Sequence, residues 1–294
     1  MLKNEITLKT MILFSPAKIN IGLQVIERRA DGYHNLRSVM VPVPLFDMIE
    51  IVQAPATSRG IEISLSGTGF DTGEGGNLCA RAYERLAAET FLPPVRLHLH
   101  KQIPVGAGLG GGSSNASLTL RGLNRLAKPP LTADRLLGIS SSLGSDCPFF
   151  MHSGMMMLEG RGEILSPVSL NLDHLVLVLL YPGIHVSTAE AFAGIRPAIP
   201  AENLSDLILL PVDEWKGRVV NDFENHIFKR YPLLAEIRDA LYSRGALYAS
   251  MSGSGSSIYG FFPSPPHLPD ELSEFVVFRG SARMPSHSPG APGL

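Results

Sequence analysis

The residues most suggestive of chemistry form a glycine-rich segment, 104–114, which has the sequence PVGAGLGGGSS. Five of the seven positions 106–112 are glycine, a density that would weaken a helix or a strand and therefore predicts a loop. Glycine permits positive φ, so successive backbone N–H groups can converge on one anion. The chemistry predicted for this loop is phosphate binding.

A helix is predicted directly after the loop, because Ala116, Leu120 and Leu123 form an apolar stripe. We expect it to begin at Ser113 or Ser114, so that its unpaired N–H groups and positive dipole end face the same anion. A flexible linker is the alternative, but the strand–loop–helix context disfavours it. A P-loop is excluded because no lysine follows the last glycine, and a dinucleotide site is disfavoured because no parallel βαβ unit is predicted.

A polar pair lies on the first predicted strand. Apolar and polar residues alternate over 17–25, which predicts a strand with Lys18 and Asn20 side by side on its polar face. A solvent-facing strand lysine is the alternative interpretation of Lys18.

A charged candidate follows the helix predicted over 132–143. Asp146 lies between Gly144, which ends that helix, and Pro148, so we expect it in a constrained loop. By position alone, an aspartate here is more often part of a helix-end turn than of a site.

The elements that would position these groups mix helices and strands without strict alternation. Further strands are predicted at 39–43, 48–52, 61–65, 95–99 and 175–181, and a hairpin around 252–256. Further helices are predicted after an Asn77 cap and from Pro232. The pattern favours an α+β fold rather than a doubly wound parallel sheet.

Composition narrows the class of protein. The formal net charge of -2 supplies no global basic field, so neither nucleic acid nor membrane is an expected partner. No apolar run approaches the roughly 18 residues that a membrane span needs, and a cytoplasmic location is expected. Cys79 and Cys147 have no metal-binding spacing and are expected to be buried, reduced thiols.

Three motifs together resemble the GHMP kinases, the group that contains galactokinase, homoserine kinase and mevalonate kinase. They are PAKIN at 16–20, the glycine loop, and SGSGS at 252–256. The stretches DGYHNL at 31–36, GSDCPFF at 144–150 and NDFE at 221–224 narrow the resemblance. They are similar to the branch that acts on 4-diphosphocytidyl-2-C-methyl-D-erythritol in non-mevalonate isoprenoid biosynthesis.

This resemblance, over roughly residues 12–279, implies a two-domain GHMP kinase fold with the site in the cleft. The N-terminal half would be ribosomal-protein-S5-domain-2-like and the C-terminal half ferredoxin-like. With it we expect a leader at 1–11, domains at 12–162 and 163–280, and a disordered Ser/Pro/Gly-rich tail at 281–294. The implied activity is ATP-dependent phosphorylation of the 2-hydroxyl, which gives the 2-phosphate and ADP.

The resemblance implies two catalytic residues. The family residue matching Asp146 accepts the proton of the attacking hydroxyl, and the lysine matching Lys18 polarises that hydroxyl and pairs with the aspartate. These roles take precedence over the structural alternatives given above. Asn20 would hydrogen-bond the substrate.

Four further residues would bind the cytidyl part of the substrate. By the resemblance, Tyr33 and His34 carry cytosine recognition, since an aromatic face can stack on a pyrimidine and an imidazole can bond to its edge. Thr188 would contact the same region. Phe192 is interpreted equally as the second side of the stacking clamp and as a core aromatic.

The resemblance assigns ATP binding to Pro104, Val105, Gly106, Ala107, Gly108, Leu109, Gly110, Gly111, Gly112, Ser113 and Ser114. Mg²⁺ is expected to accompany ATP and bridge its phosphate oxygens. Ser114 is one candidate metal ligand, and the glutamate that related kinases often add has no clear match. Glu159 and Glu163 are interpreted as exposed turn carboxylates.

Two other functions remain. Another kinase of the same family, acting on mevalonate, homoserine or a sugar, is disfavoured by the Tyr33–His34 pair. A non-catalytic binding relative is disfavoured because Lys18, Asp146 and the whole loop are present. The expected partner is the small cytidyl-linked substrate, and the expected assembly is a monomer or weak homodimer.

Overall fold

The computed structural model describes residues 10–68 and 76–284. The strands are β1 Thr10–Arg28, β2 His34–Gln53, β3 Ile61–Gly67, β4 Val95–Lys101, β5 Met155–Gly160, β6 Ile164–Val168, β7 Val176–Leu180, β8 Tyr248–Met251, β9 Ile258–Phe262 and β10 Val276–Ser281. The helices are α1 Leu78–Ala87, α2 Gly111–Asn124, α3 Ala133–Leu143, α4 Thr188–Ala193, α5 Leu204–Leu207, α6 Glu224–Arg230, α7 Pro232–Ser243 and α8 Asp270–Ser273. Short 3-10 helices lie at Pro148–Met151 and Val212–Glu214.

The larger sheet is organised around β2. This strand pairs with β1 along one edge and with β4 and β5 along the other, and β3 and β6 extend the sheet outward. Only the β3–β4 pair is parallel among the pairs of this sheet in the described chain. Apolar side chains of the sheet and of α1, α2 and α3 form one core, in which Ile49, Leu86 and Leu120 are fully buried.

The smaller sheet is antiparallel throughout, in the order β10-β7-β9-β8. Strand β1 joins the two halves, because its apolar residues pack with the C-terminal part of the chain. Ile19 and Ile21 share a cluster with Trp215 and Tyr259. Leu23 and Val25 share another with residues of α7.

Most predicted elements are confirmed, and the mixed α+β class with them. Asn77 caps α1 by accepting a 2.8 Å hydrogen bond from the Cys79 N–H, as its position before the apolar stripe predicts. Thr132 caps α3 through the Arg135 N–H, and the helix ends before Gly144. Strands β8 and β9 form the hairpin predicted around 252–256.

Two expectations from composition concern the cysteines and membrane-spanning helices. Both cysteines are buried and free. Within 10–68 and 76–284, no helix combines the length and the apolar character that crossing a membrane requires.

One difference concerns β2, which is a single strand where two were predicted. The register against β1 shifts between Pro16 and Ala17, whose partners are Phe46 and Val43, so Pro44 and Leu45 bulge out of an otherwise continuous strand.

The limits of the ordered elements differ from the predicted limits of the leader, the domains and the tail. Strand β1 begins at Thr10, inside the predicted leader, and β10 ends at Ser281, inside the predicted tail. The boundary predicted between 162 and 163 falls in the β5–β6 hairpin, so the larger sheet extends to Val168. The rest of the leader and tail lies outside the described residues.

Candidate active site

A cleft of about 1220 Å³ lies between the N-terminal and C-terminal halves. It brings together nearly all the predicted site residues. Its lining includes Lys18, Asn20, Tyr33, His34, Asp146, Thr188, Phe192 and every residue of the glycine loop from Pro104 through Ser113. Ser114, the last predicted loop residue, is not part of it.

The glycine loop has the backbone that its sequence predicts. Gly106, Gly108 and Gly110 have φ values of 69°, 76° and 68°, so every second residue is in the left-handed region. Helix α2 begins at Gly111, earlier than the predicted Ser113 or Ser114, because left-handed Gly110 serves as the N-cap. The first N–H groups of the helix have no partner within it, and they lie at the cleft.

The third motif, at 252–256, holds this loop from the opposite side. The Ser252 hydroxyl donates to the Gly108 carbonyl oxygen at 3.0 Å, and the Ser257 N–H donates to that of Ala107 at 3.1 Å. A Cβ atom added at Gly108 would overlap the backbone oxygen of Ser252. Close contact between the two loops therefore requires glycine at 108.

Lys18 lies at the meeting point of these segments. Its backbone N–H donates to Leu109, and its ammonium Nζ lies 2.9 Å from the Gly108 oxygen and 2.6 Å from Oδ1 of Asn20. Nζ is also 3.4 Å from Oδ2 of Asp146. With only 4% of its side chain exposed, Lys18 is not the solvent-facing strand lysine that was the alternative.

Asp146 completes the pair and faces the cleft. Its side chain is 30% exposed, so the carboxylate pairs with Lys18 and remains accessible to a ligand. It follows α3 and precedes the short helix at Pro148–Met151, as its position between Gly144 and Pro148 predicts. The structure thus juxtaposes a buried cation and an accessible carboxylate beside the phosphate loop.

The side-chain amide of Asn20 forms hydrogen bonds within the protein through both its oxygen and its nitrogen. Its Oδ1 accepts from Lys18, and its Nδ2 donates to the Ser38 hydroxyl at 2.8 Å. Ser38 in turn donates to the carbonyl oxygen of Gly22. The geometry supports orientation of Lys18 as one role of Asn20, and the expected substrate hydrogen bond stays a prediction for a residue that lines the cleft.

An aromatic group also lines the cleft. The rings of His34 and Phe192 are stacked, with centroids 4.8 Å apart and planes 18° apart. Phe192 also contacts the buried Phe223 edge-on at 4.9 Å. Phe192 therefore lines the cleft and rests on the core, so it has features of both interpretations.

Tyr33 and Thr188 border this aromatic group. Tyr33 is 58% exposed, and its ring lies under the guanidinium of Arg161. Thr188 is the first residue of α4, whose start is fixed by Ser187 accepting from the Glu190 N–H at 3.1 Å. Both side chains are open to a ligand in the cleft.

A buried polar network behind the glycine loop was missed by the sequence reasoning. Its centre is the fully buried carboxylate of Asp47, which accepts from the N–H groups of Gln102 and Ile103 at 2.8 and 2.9 Å. Asp47 also binds the ammonium of Lys101 and the amide of Asn115. It therefore ties the start of the loop to the first turns of α2.

The NDFE stretch at 221–224 joins the halves. Asn221 donates to the carbonyl oxygens of Met251 and Gly253, both at 2.8 Å. Asp222 accepts from the Val25 N–H at 2.7 Å, and Glu224 accepts from the Met251 N–H at 2.8 Å. Burial raises the pKa of both carboxyl groups, although these hydrogen bonds oppose the rise.

His185 was also missed. It lines the cleft from the segment before α4 and lies so close to Gly106 that a Cβ there would overlap its imidazole. The same segment is fixed by the Ser256 hydroxyl, which donates to the carbonyl oxygen of Ile184.

Ser114 does not occupy the position expected of a metal ligand. It is fully buried, and its hydroxyl accepts a 2.7 Å hydrogen bond from Ser15. Ser113 is the serine that lines the cleft. In the part of the chain that the structure describes, no group of three or more His, Cys, Asp or Glu residues is placed to hold a metal ion.

The predicted turn carboxylates have partners of their own. Glu159, in β5, pairs with Arg37 at 2.9 Å, and Glu163 accepts from the Arg161 N–H at 2.5 Å. Cys147, next to Asp146, is fully buried, and burial raises the pKa of its thiol. It therefore remains protonated at neutral pH and is not a nucleophile.

Comparison with known families supports the motif resemblance in both halves of the chain. The family model described as GHMP kinases N terminal domain matches residues 77–154, and the model described as GHMP kinases C terminal matches residues 206–276.

Individual relatives are similar over nearly the whole chain. The 4-diphosphocytidyl-2-C-methyl-D-erythritol kinase of Azobacteroides pseudotrichonymphae genomovar. CFP2 is 47% identical, over 87% of this chain and 94% of that protein. The protein with the same name from Parabacteroides distasonis is 42% identical, over 92% of this chain and 99% of that protein.

Solved structures give the same picture. A crystal structure of 4-(cytidine 5'-diphospho)-2C-methyl-D-erythritol kinase superposes with a TM-score of 0.67 at 31% identity, covering 87% of this chain and 91% of that one. The mevalonate kinase of Methanococcus jannaschii superposes with a TM-score of 0.59 at 16% identity, covering 90% and 93%, and so shares the fold.

Proposed function

Because this chain belongs to the 4-diphosphocytidyl-2-C-methyl-D-erythritol kinases of the GHMP kinase family, we propose that its cleft holds ATP and the cytidyl-linked alcohol at opposite ends. The protein is a phosphotransferase that phosphorylates the 2-hydroxyl of that alcohol in non-mevalonate isoprenoid biosynthesis. The products are the 2-phosphate and ADP.

The observation that carries the proposed division of roles is the pairing of Lys18 with Asp146, 3.4 Å apart, beside the Gly108 carbonyl. A buried ammonium and an accessible carboxylate lie next to the start of α2, where a terminal phosphate would be held. An alcohol that meets this pair lies between a group that can take its proton and a group that can stabilise negative charge.

The triphosphate end of ATP lies over the glycine loop. Backbone N–H groups at Gly111, Gly112 and Ser113 lack partners within α2 and can donate to phosphate oxygens. The helix dipole favours the same charge. Lys101 also borders the cleft here, and its ammonium is paired with the buried Asp47 carboxylate behind the loop.

In the transfer, the oxygen of the 2-hydroxyl attacks the γ-phosphorus as the bond from that phosphorus to the β–γ bridging oxygen breaks. The hydroxyl proton passes to Asp146. Phosphoryl transfer has a loose transition state, so positioning and charge stabilisation contribute most of the catalysis. The contacts of Lys18 with Asn20 and Gly108 hold its ammonium in place for this role.

The cytidyl part lies against Tyr33, His34 and Phe192. The exposed ring of Tyr33 offers an apolar face to the pyrimidine, and His34 offers ring nitrogens to its polar edge. Because His34 and Phe192 stack on each other, the base occupies the space beside them. Thr188 lines the same cleft and contacts the same part of the ligand.

The residues present are compatible with Mg²⁺ that enters bound to ATP. Magnesium at such sites is held by substrate phosphates with one or two protein oxygens and several waters, so a protein cage is not required. Ser113, which lines the cleft at the start of α2, is the side chain that we propose for this. When bound, the ion neutralises charge on the phosphates.

A coupled assay of ADP release tests the catalytic pair. Asp146→Asn and Lys18→Met are each expected to lower kcat by roughly 10²- to 10⁴-fold and to retain ATP binding, because neither side chain forms the phosphate loop. Asp173→Asn, an exposed aspartate that pairs with Arg283, is the matched control and should turn over normally. Undiminished turnover by Asp146→Asn would remove the assignment of the base.

Competition distinguishes the acceptor from those of other GHMP kinases. CMP is expected to inhibit competitively against the alcohol, so raising the alcohol concentration should relieve the inhibition. Mevalonate and homoserine should neither inhibit nor be phosphorylated. Phosphorylation of mevalonate or homoserine at a comparable kcat/KM would contradict the proposed cytidyl site.

A further inference from the structure

Arg161 lies over the aromatic ring of another residue that lines the cleft. The carbon at the centre of its guanidinium is 4.8 Å from the ring centroid of Tyr33, within the range of a cation–π interaction. Both residues line the cleft, and neither is one of the groups that would touch the reacting phosphate or hydroxyl.

The backbone that carries Arg161 is fixed. Gly160 and Gly162, on either side, have φ values of 67° and 112°, which makes the β5–β6 turn tight. The Gly162 N–H donates to the Glu159 carbonyl at 3.1 Å, and the Arg161 N–H donates to the Glu163 carboxylate at 2.5 Å. The arginine therefore extends from a closed turn.

Tyr33 has a fixed backbone but a side chain with few constraints. Its N–H donates to Asp31 at 3.1 Å, and its carbonyl accepts from the Arg29 N–H at 2.8 Å. The residue as a whole, however, is 58% exposed, and its side chain would sample several rotamers without a neighbour. Arg161 is the neighbour that covers one face of this ring.

We propose that Arg161 is a positioning residue for base recognition. Its guanidinium covers one face of the Tyr33 ring and so holds the other face ready for the cytosine of the substrate. The inference rests on the proposed function, because the role needs a cytidyl ligand. A direct contact of Arg161 with the substrate phosphates is a different role, and the test separates the two.

The test is a double-mutant cycle measured by titration calorimetry with CMP and by KM for the alcohol. Arg161→Ala is expected to weaken CMP binding roughly two- to fivefold, the range of an exposed cation–π contact, with kcat and the KM for ATP unchanged. In a Tyr33→Leu background, which keeps an apolar side chain without a π face, Arg161→Ala should have no further effect. Arg161→Lys should restore part of the loss.

Two controls complete the design. Arg96→Ala removes another exposed arginine, paired with Glu62 on the larger sheet, and should leave every constant unchanged. Cytidine should show the same fold-loss as CMP on Arg161→Ala, because a contact made through Tyr33 does not depend on phosphate.

Each contrary outcome has a distinct meaning. A loss that persists in the Tyr33→Leu background, or that appears for CMP and not for cytidine, overturns the proposal in favour of direct phosphate contact. Unchanged CMP affinity in Arg161→Ala overturns it outright. If the unaltered protein does not bind CMP at all, the proposed cytidyl site fails, and this role fails with it.

Discussion

The side-chain amide of Asn221 donates a 2.8 Å hydrogen bond to the carbonyl oxygen of Gly253, a residue packed against Lys18. A Cβ atom added at Gly253 would lie 3.2 Å from Nζ of Lys18. Asn221 therefore supports the site from outside the cleft, by fixing the segment that lies over Lys18.

Asn221→Ala is expected to lower the free energy of unfolding by about 3 kcal/mol, because the carbonyls of Met251 and Gly253 lose their buried donor. It should also lower kcat roughly tenfold as the 252–256 loop shifts. Urea denaturation and turnover measure the two effects. Asn124→Ala, which breaks two hydrogen bonds to Leu131 far from the cleft, is the control. Equal loss of turnover in both variants would show that only stability is affected.

Asp47→Asn is expected to destabilise the protein by about 3–5 kcal/mol, since Lys101 would remain buried without its counter-charge. Adding Lys101→Met removes the uncompensated charge, so the double variant should regain part of the lost stability. Urea denaturation of the unaltered protein, Asp47→Asn, Lys101→Met and the double variant measures this coupling. A double variant no more stable than Asp47→Asn alone would mean that the ion pair is not the cause.

Gly108→Ala is expected to lower kcat/KM for ATP by roughly 100-fold, because alanine is strained at a φ of 76° and its Cβ would displace Ser252. The matched control is Gly138→Ala in α3, where φ is not positive and the added Cβ meets no atom. That change should leave activity intact and raise stability by about 0.5–1 kcal/mol. Normal kinetics in Gly108→Ala would contradict the tight contact between the two loops.

The loop, Lys18 and Asp146 could be found from the sequence because a dense cluster of glycines and short motifs are recognisable within a few consecutive residues. Sequence reasoning missed the pairing of Asp47 with Lys101, which lie 54 positions apart. A signal was nevertheless present. Asp47 shares a strand face with Leu45, Ile49 and Ile51, and Lys101 shares one with Leu97 and Leu99. Opposite charges at inward positions of two apolar strand faces predict a buried pair.

Other features were beyond the sequence for physical reasons. The orientation of Ser114 toward Ser15 depends on where α2 begins, and left-handed Gly110 moved that start to Gly111. The bulge at Pro44 depends on the register of β1 against β2, a long-range property that local propensity does not determine.

Cys79 should contribute to the decrease in the free energy of unfolding at alkaline pH. Burial raises the pKa of its thiol to about 11, above the usual value of about 8.5. Between these values the unfolded chain releases a proton that the folded chain keeps, so the free energy of unfolding falls as pH rises. The stability advantage over Cys79→Ser should therefore shrink by on the order of 1–2 kcal/mol from pH 8 to pH 10. A difference independent of pH would contradict this.

Phe192→Leu should separate the two interpretations of that ring. As part of the base site, it is expected to weaken CMP binding roughly fivefold, with the KM for ATP unchanged. Phe228→Leu, a half-buried phenylalanine under Arg238 away from the cleft, is the control for stability. If both variants lose similar stability and bind CMP equally well, Phe192 serves only the core.

Strand β1 places its Ile19, Ile21, Leu23 and Val25 side chains in clusters completed by the C-terminal half. The same strand carries Lys18 and hydrogen-bonds to Val220 and Asp222 through Leu23. Cutting the gene between the halves would consequently yield an N-terminal fragment with an uncovered apolar strand. The C-terminal fragment would have apolar clusters that lack the side chains of β1. Neither piece would be an independent folding unit, and activity would return only when the two are produced together and reassemble.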